Sequence, residues 1–427
     1  MTQEVQEWVR EGLIESAQGE AILARYGVRL SGGGNTSLGY YVLSALAALF
    51  VGLALILIVS HNWDEIPRLV RMTVLCTMTL LVNLQGMRLM LAGRDKAGVL
   101  WLFFGAICFG ATIMLIAQIY HLGEHFPDGI FYWALGVFPL IFITRSRLNG
   151  LFCLTLATIW MMVEAGSDFF PLSYPFFALG AGWLAWVRKD SVLLFMGSLA
   201  GVITWLNLFI AWIEGDLQKF RLVIDQIPIS IGMGFLLSGL AWWLMRRSDN
   251  ALRDYGQVVH LWLLRGTVVV LLLLSFEDSW SELAREEYTF GYFAPLFVLL
   301  SGAVGCTLAR PSGAKALSPL LAYIAYFFLA FLWIQLGNVQ ADWLAAVTNI
   351  MLVVTGVWLI RRGIDDAVTQ FFYTGVGVLL LTALLRYFDL IGDYIGGAVL
   401  FIIAAAVLFG AARYWRSRIM QKEAGHV

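Results

Sequence analysis

Residues 98–120 read GVLWLFFGAICFGATIMLIAQIY, 23 residues without a charge. Arg94 and Lys96 stand just before this stretch, and Gln118, Tyr120 and His121 close it. About 20 apolar residues in a helix are needed to cross the hydrocarbon core of a bilayer. The stretch therefore reads as a transmembrane span with one basic end and one polar, uncharged end.

The same pattern recurs on both sides of it. Apolar spans are expected at 38–60, 69–92, 98–120, 130–144, 149–166, 173–187, 191–213, 227–245, 257–276, 290–309, 317–336, 342–360, 367–386 and 393–412. The expected fold class is an all-α polytopic transmembrane helix bundle of about 14 spans. The three spans between 130 and 187 are short, and if two of them form a re-entrant hairpin the count becomes 12.

The turns between spans alternate in charge. One set carries Arg94/Lys96, Arg145/Arg147, Arg188/Lys189, Arg246/Arg247, Arg310/Lys315 and Arg361/Arg362, and the intervening set is mainly acidic or neutral. By the positive-inside rule the basic set faces the cytoplasm. An even span count then puts both termini there, which agrees with the basic residues Arg413, Arg416, Arg418 and Lys422. The expected location is a bacterial inner membrane.

Composition supports this reading. Hydrophobic residues make up 60% of the 427 and charged residues 13%, against about 45–50% and about 25% in a soluble domain. That balance makes the lipid bilayer the expected partner, and the net charge of -1 gives no hint of nucleic acid as one. Cys76, Cys108, Cys153 and Cys306 all fall in apolar spans without paired spacing, so they read as small buried hydrophobes and not as a disulfide or zinc framework.

Residues 1–30 read as a cytoplasmic helical hairpin. Val5, Trp8 and Val9 share one face, Gly12 interrupts, Ser16 is a candidate N-cap, and Ala21, Ile22, Leu23 and Tyr26 form a second face ended by Gly27. Such short helices need a partner surface, either membrane or protein. Residues 31–37 form a glycine-rich linker, 38–413 the bundle and 414–427 a basic cytoplasmic tail. The first 30 residues lack the apolar core of a cleaved signal peptide, so the span from Leu38 is expected to act as an uncleaved anchor.

Trp63, Tyr132, Trp133, Trp186, Trp212, Trp280, Trp343 and Trp415 lie near span ends and read mostly as an interfacial aromatic belt. The longer turns at 214–226 and 277–289 have room for an interfacial helix each.

Polar side chains within spans cost energy in lipid and tend to face a bundle interior or a cavity. The substrate-binding candidates are Arg265, His260, Gln118 and Asn349, with Arg265 the sharpest because of its depth. Asn83, Gln85, Glu164, Asn207, Gln335 and Arg386 are further intramembrane polar residues. An outer polar cluster of His61, Asp64, Glu65, His121, Glu124 and His125 is the second candidate site, suited to acid–base work or cation binding if the loops meet. It lacks metal-ligand spacing, so no metal site is assigned, and the sequence names no cofactor. Neither a phosphate-binding GxxxxGK[ST] loop, an HExxH helix nor a GxSxG elbow is present.

Three motifs carry a resemblance. They are Trp8-Val9-x-x-Gly12-Leu13-Ile14 with Ile22-Leu23-x-x-Tyr26, then His61-Asn62-Trp63-Asp64-x-Ile66-Pro67, then Ala117-Gln118-Ile119-Tyr120-His121-Leu122 with Trp133-Ala134-Leu135 and Pro139 beyond. Over roughly residues 1–150 the chain resembles the family of bacterial membrane proteins called domain of unknown function 2157. The resemblance implies a multipass topology and confers no activity or site residue. Three functions remain open at this point: binding or transport of a small molecule, ion or lipid; a membrane-embedded enzyme acting on a lipid or lipid-linked envelope precursor; and a scaffold or sensor that recruits a membrane or cytoplasmic protein through residues 1–30.

Overall fold

The structure is a computed structural model, and it describes residues 5, 8–9, 11–24, 66–122, 125–221, 226–285, 292–337, 340–366, 368–389 and 402. It divides into two compact units, residues 1–77 and 78–427.

In the first unit Gly12 adopts φ +73°, a left-handed value that glycine reaches without strain. Its N–H donates to Val9 O at 3.2 Å and the Leu13 N–H donates to Trp8 O at 2.9 Å. This pair of bonds is the Schellman closure of a helical turn. Helix α1, Ser16–Ala24, follows. The Glu15 N–H donates to Gln18 Oε1 at 3.0 Å, the reach-back bond of a capping box. The cap position is therefore Glu15, one residue before the Ser16 expected from sequence. The linker 31–37, the expected span 38–60 and the rest of the expected hairpin lie outside the described residues, as do the expected span 393–412 and the tail 414–427.

The next helices are α2, Arg68–Leu91; α3, Asp95–Tyr120; α4, Pro127–Val137; α5, Pro139–Thr144; α6, Arg147–Gly166; and α7, Tyr174–Arg188. They are followed by α8, Val192–Glu214; α9, Gln226–Met245; α10, Asn250–Leu273; α11, Glu277–Arg285; and α12, Phe293–Ala309. The last are α13, Ala314–Gln335; α14, Ala341–Asp365; and α15, Thr369–Asp389. Among the described residues, eleven helical segments are long and apolar enough to cross a membrane, with α4 and α5 together forming one of them. Pro139 opens α5 and has no N–H to continue the ladder of α4, which divides that segment. Helix α7 has 15 residues, about 22 Å at 1.5 Å per residue. That is shorter than a hydrocarbon core of about 30 Å.

Local signals set several boundaries. Ser146, Ser191 and Asp249 accept from the backbone N–H groups of Leu148, Leu194 and Ala251 at 3.2, 3.2 and 3.0 Å. They supply acceptors that the first helical turn otherwise lacks. His121 closes α3 with φ 52°, and the Leu122 N–H returns to Ala117 O at 2.8 Å.

Contacts draw the basic turns together. Arg188 Nη1 donates to Arg145 O at 2.9 Å, and Lys189 Nζ to Asp249 Oδ2 at 2.5 Å. Lys315 and Arg362 both meet Asp366, at 3.3 and 3.4 Å. This end is called the basic end below.

Two apolar cores fill the second unit. One lies among α3–α8, around Phe138, Cys153, Met161 and Phe177. The other lies among α9–α15, around Leu271, Val298, Phe331 and Leu352. Tyr255 links them. Its ring stacks on Phe195 at 4.7 Å, its hydroxyl accepts from Ser191 N–H at 3.2 Å, and it donates to Ala185 O at 3.3 Å. Close approach is set by small residues, as expected where lipid supplies no hydrophobic drive between helices. A Cβ on Gly239 of α9 would meet Gly305 O of α12 at 2.6 Å, and one on Gly305 would meet Phe235 O at 2.5 Å.

The aromatic-belt expectation needs one correction. Trp186 and Trp343 are exposed, but Trp280 is fully buried. Its Nε1 donates to Leu274 O at 2.6 Å and to Thr348 Oγ1 at 3.2 Å. It sits on α11, an amphipathic helix that turns Trp280 and Leu283 inward. A short helix, Glu277–Arg285, therefore occupies the described part of the turn at 277–289, whereas the described part of 214–226 before α9 forms turns.

Candidate functional site

Helices α9, α10 and α13 line a half-open cavity of about 510 Å³, with Asn207 of α8 and Trp358 of α14 completing its wall. The volume falls in the range of small-molecule pockets, about 300–1,000 Å³. It is elongated: it touches both Gln226 and Trp242 of α9, 16 positions or about 24 Å apart along the helix. Most of the wall is aliphatic or aromatic, including Phe235, Leu263, Leu320 and Phe327. The lining reaches the outer surface at Trp262, which is 57% exposed. Two glycines on the wall, Gly234 and Gly266, face open space, and a Cβ on either would meet nothing within 4 Å.

The sequence places His260 here because α10 keeps one helical face for Leu252, Tyr255, Gly256, Val259 and His260, all buried. His260 is 8% exposed and lines the cavity near its basic end. Its ring lies 5.1 Å from Trp242. Arg362 Nη1 approaches Nε2 at 3.4 Å. A guanidinium has only donors, so Nε2 must accept, and the neutral ring then carries its proton on Nδ1. Arg362 is held by its own cage. The guanidinium carbon lies 5.5, 5.1 and 5.1 Å from the Trp242, Trp358 and Phe371 rings, within cation–π range. Asp366 supplies the balancing charge at 3.4 Å.

Several other polar groups of the wall are bonded within the protein. Ser230 Oγ donates to Asn207 Oδ1 at 2.8 Å, and Asn207 Nδ2 to Ile203 O at 2.9 Å. Thr267 Oγ1 donates to Leu263 O at 2.9 Å, and the Tyr323 hydroxyl pairs with Thr355 Oγ1.

Of the four substrate-binding candidates read from sequence, only His260 lines the cavity. Arg265 sits on the exposed face of α10, with its guanidinium carbon 5.4 Å from the Trp262 ring. Gln118 is exposed on α3. Asn349 belongs to a separate polar group, where its Nδ2 donates to Ser275 O at 3.0 Å and Ala345 O at 2.8 Å.

His61, Asp64, Glu65 and Glu124 of the outer cluster lie outside the described residues. His121 is the left-handed cap of α3. His125 instead meets Glu164, with Nε2 and Oε2 3.1 Å apart. The same carboxylate oxygen accepts from Trp160 Nε1 at 3.1 Å, and Phe169 packs edge-on against the imidazole at 4.6 Å. Among the described residues, no group of three or more His, Cys, Asp or Glu side chains is placed to hold a metal.

Sequence reasoning does not single out Trp242, Trp358 or Tyr323, and it reads Arg362 only as a turn charge. One signal was present: Trp358 and Arg362 are four apart, a spacing that puts them on one helical face.

The apolar helices and their turns define a multipass membrane protein. Residues 6–150 match the family described as "Predicted membrane protein (DUF2157)". No curated protein and no solved structure matches the chain. The family match ends before Asn207, so the cavity lies wholly beyond it.

Proposed function

We propose that the protein binds a small lipophilic molecule inside its helix bundle and moves it within or across the membrane. The observation that carries this reading is the elongated cavity between α9, α10 and α13, largely apolar and reaching the surface at Trp262. A ligand that dissolves in the bilayer would enter from the side, without passing through water. The basic end then faces the cytoplasm, as the positive-inside rule requires, and the membrane is the bacterial inner membrane. The N-terminal segment 1–30 is left as a contact for the membrane surface or a protein partner.

The test uses the full chain in lipid nanodiscs and a 16-carbon hydrocarbon carrying a diazirine. After irradiation, peptide mapping should find label on Leu263 and Tyr323, inside the cavity, as well as on exposed residues such as Leu329. The substitution Gly234→Leu adds a side chain where a Cβ meets open space. It should remove the cavity label and keep the surface label. Surface label alone in the unsubstituted protein would overturn the reading.

A further inference from the structure

We infer that the cavity's ligand is an acyl chain whose carboxyl or ester oxygen accepts a hydrogen bond from His260 Nδ1. The inference rests on the reading of the cavity as a ligand site and names the chemistry of what it takes.

Three observations lead there. The first is the tautomer. With Nε2 accepting from Arg362 at 3.4 Å, the ring has one donor left, Nδ1–H. His260 is more than nine-tenths buried and lines the cavity, and among the described residues no acceptor meets Nδ1. A donor that lines a cavity without a partner leaves a place for an acceptor, so a bound molecule that brings one to this end gains a hydrogen bond that one without it does not.

The second is where the unpartnered donors gather: the Ser238 hydroxyl and the Trp242 and Trp358 indole N–H groups, which have no hydrogen bond among the described residues either, share the wall with His260, with the Trp242 ring 5.1 Å from the imidazole and both indoles around Arg362. The hydroxyls of Ser230, Thr267 and Tyr323 and the amide of Asn207 are all engaged within the protein. Beyond the His260 end, the long wall offers mainly hydrocarbon contact through Leu263, Val270, Leu320 and Phe327. A ligand that matches this has one polar end and an extended apolar body.

The third is the sign of the field. Arg362 stands directly behind the imidazole, and its pairing with Asp366 is shared with Lys315. Among the described residues Arg362 is the charged group in contact with the imidazole. An oxygen acceptor, neutral or anionic, is favoured there, and an ammonium is repelled. A single acyl chain with its oxygen toward His260 satisfies all three conditions. It could arrive as a free fatty acid or as the chain of an ester lipid.

The experiment labels the full-length protein in nanodiscs with a 16-carbon fatty acid bearing a mid-chain diazirine, beside the hydrocarbon probe of the same length. His260→Phe keeps an aromatic ring and removes the donor; His260→Gln restores an N–H. The Phe variant should lower cavity labelling by the acid about five- to tenfold, the worth of one hydrogen bond. It should leave the hydrocarbon's labelling unchanged, and the Gln variant should recover part of the loss. In the unsubstituted protein, palmitic acid and methyl palmitate should each compete at least about fivefold better than hexadecane. Preference for the acid identifies a free fatty acid, and equal competition identifies the acyl oxygen of an ester. If hexadecane competes as well as both, and the Phe variant labels normally with the acid, the assignment to His260 is overturned while the cavity stands. If neither probe labels the cavity, the reading of the cavity and this inference fall together.

Discussion

Arg362 Nη1 donates to His260 Nε2 across 3.4 Å, joining α14 to α10 over 102 positions of sequence. The contact fixes which nitrogen of the ring carries the proton. It also explains why a guanidinium only 16% exposed is tolerated at the end of an apolar helix: it has Asp366, the imidazole and three aromatic rings around it.

Arg362→Lys should therefore not be a conservative change. Lysine keeps the charge but has no planar fork to reach His260 and Asp366 together while lying between the rings. Loss of the bond to the imidazole should cost about 1.5–3 kcal/mol, read as a lower melting temperature in nanodiscs. An unchanged transition would mean that the contact does not hold the helices.

Glycines on the same helix should respond with opposite signs. Gly239→Ala places a Cβ 2.6 Å from Gly305 O, and overpacking of this kind costs about 1–3 kcal/mol. Gly234→Ala meets nothing within 4 Å and should gain about 0.5–1 kcal/mol from helix propensity. Thermal unfolding of the two variants side by side checks this. Equal shifts would show that α9 and α12 do not meet at Gly239.

Trp160 and Glu164 should behave as a coupled pair. Glu164→Ala leaves the buried Trp160 N–H without the acceptor it has at 3.1 Å, a cost of about 1–3 kcal/mol. With Trp160→Phe already in place, that cost should shrink. A double-mutant cycle should give an interaction of about 0.5–3 kcal/mol, and strict additivity would remove the bond from the account.

Two turns at the basic end should make stability fall in acid. The hydrogen bond from Arg188 holds the Asp190 carboxyl below its ordinary value of 3.8, against the opposing effect of burial. The hydrogen bond from Lys189 does the same for Asp249. A carboxyl lowered in the folded state contributes stability above its unfolded pKa and loses it as pH falls through the folded one. The melting temperature should drop as pH goes below about 4. Asp190→Asn with Asp249→Asn should flatten that decline by a small amount, because both pairs are partly solvated. A steeper decline in the double variant would contradict the assignment.

The helices were legible because lipid imposes a one-dimensional rule: long apolar runs, broken by charged turns. The run 98–120 lies within α3, and Arg145, Lys189 and Asp249 mark turns that the structure joins. Packing was less legible. Trp280 lies near a span end and was expected at the interface, but the amphipathic pattern of α11 turns it inward to Leu274 and Thr348.

The site was legible at one residue. His260 was found because a histidine in an apolar run is conspicuous. Depth along α10 marks Arg265 in the sequence, but depth does not determine which face of a helix a residue occupies, and Arg265 is exposed. Arg362 was read as a turn charge beside Arg361. Helix α14 continues to Asp365, which carries Arg362 into the bundle's last turn. The cavity itself depends on how α9, α10 and α13 pack over contacts distant in sequence, and no local pattern encodes it.

The most direct measurement is a high-resolution cryo-EM map of the protein in native-lipid nanodiscs. The account predicts elongated non-protein density between α9, α10 and α13, with one end within hydrogen-bond distance of His260 Nδ1. A closed bundle, with Trp242 and Phe327 packed together across the space the cavity now occupies, would contradict it.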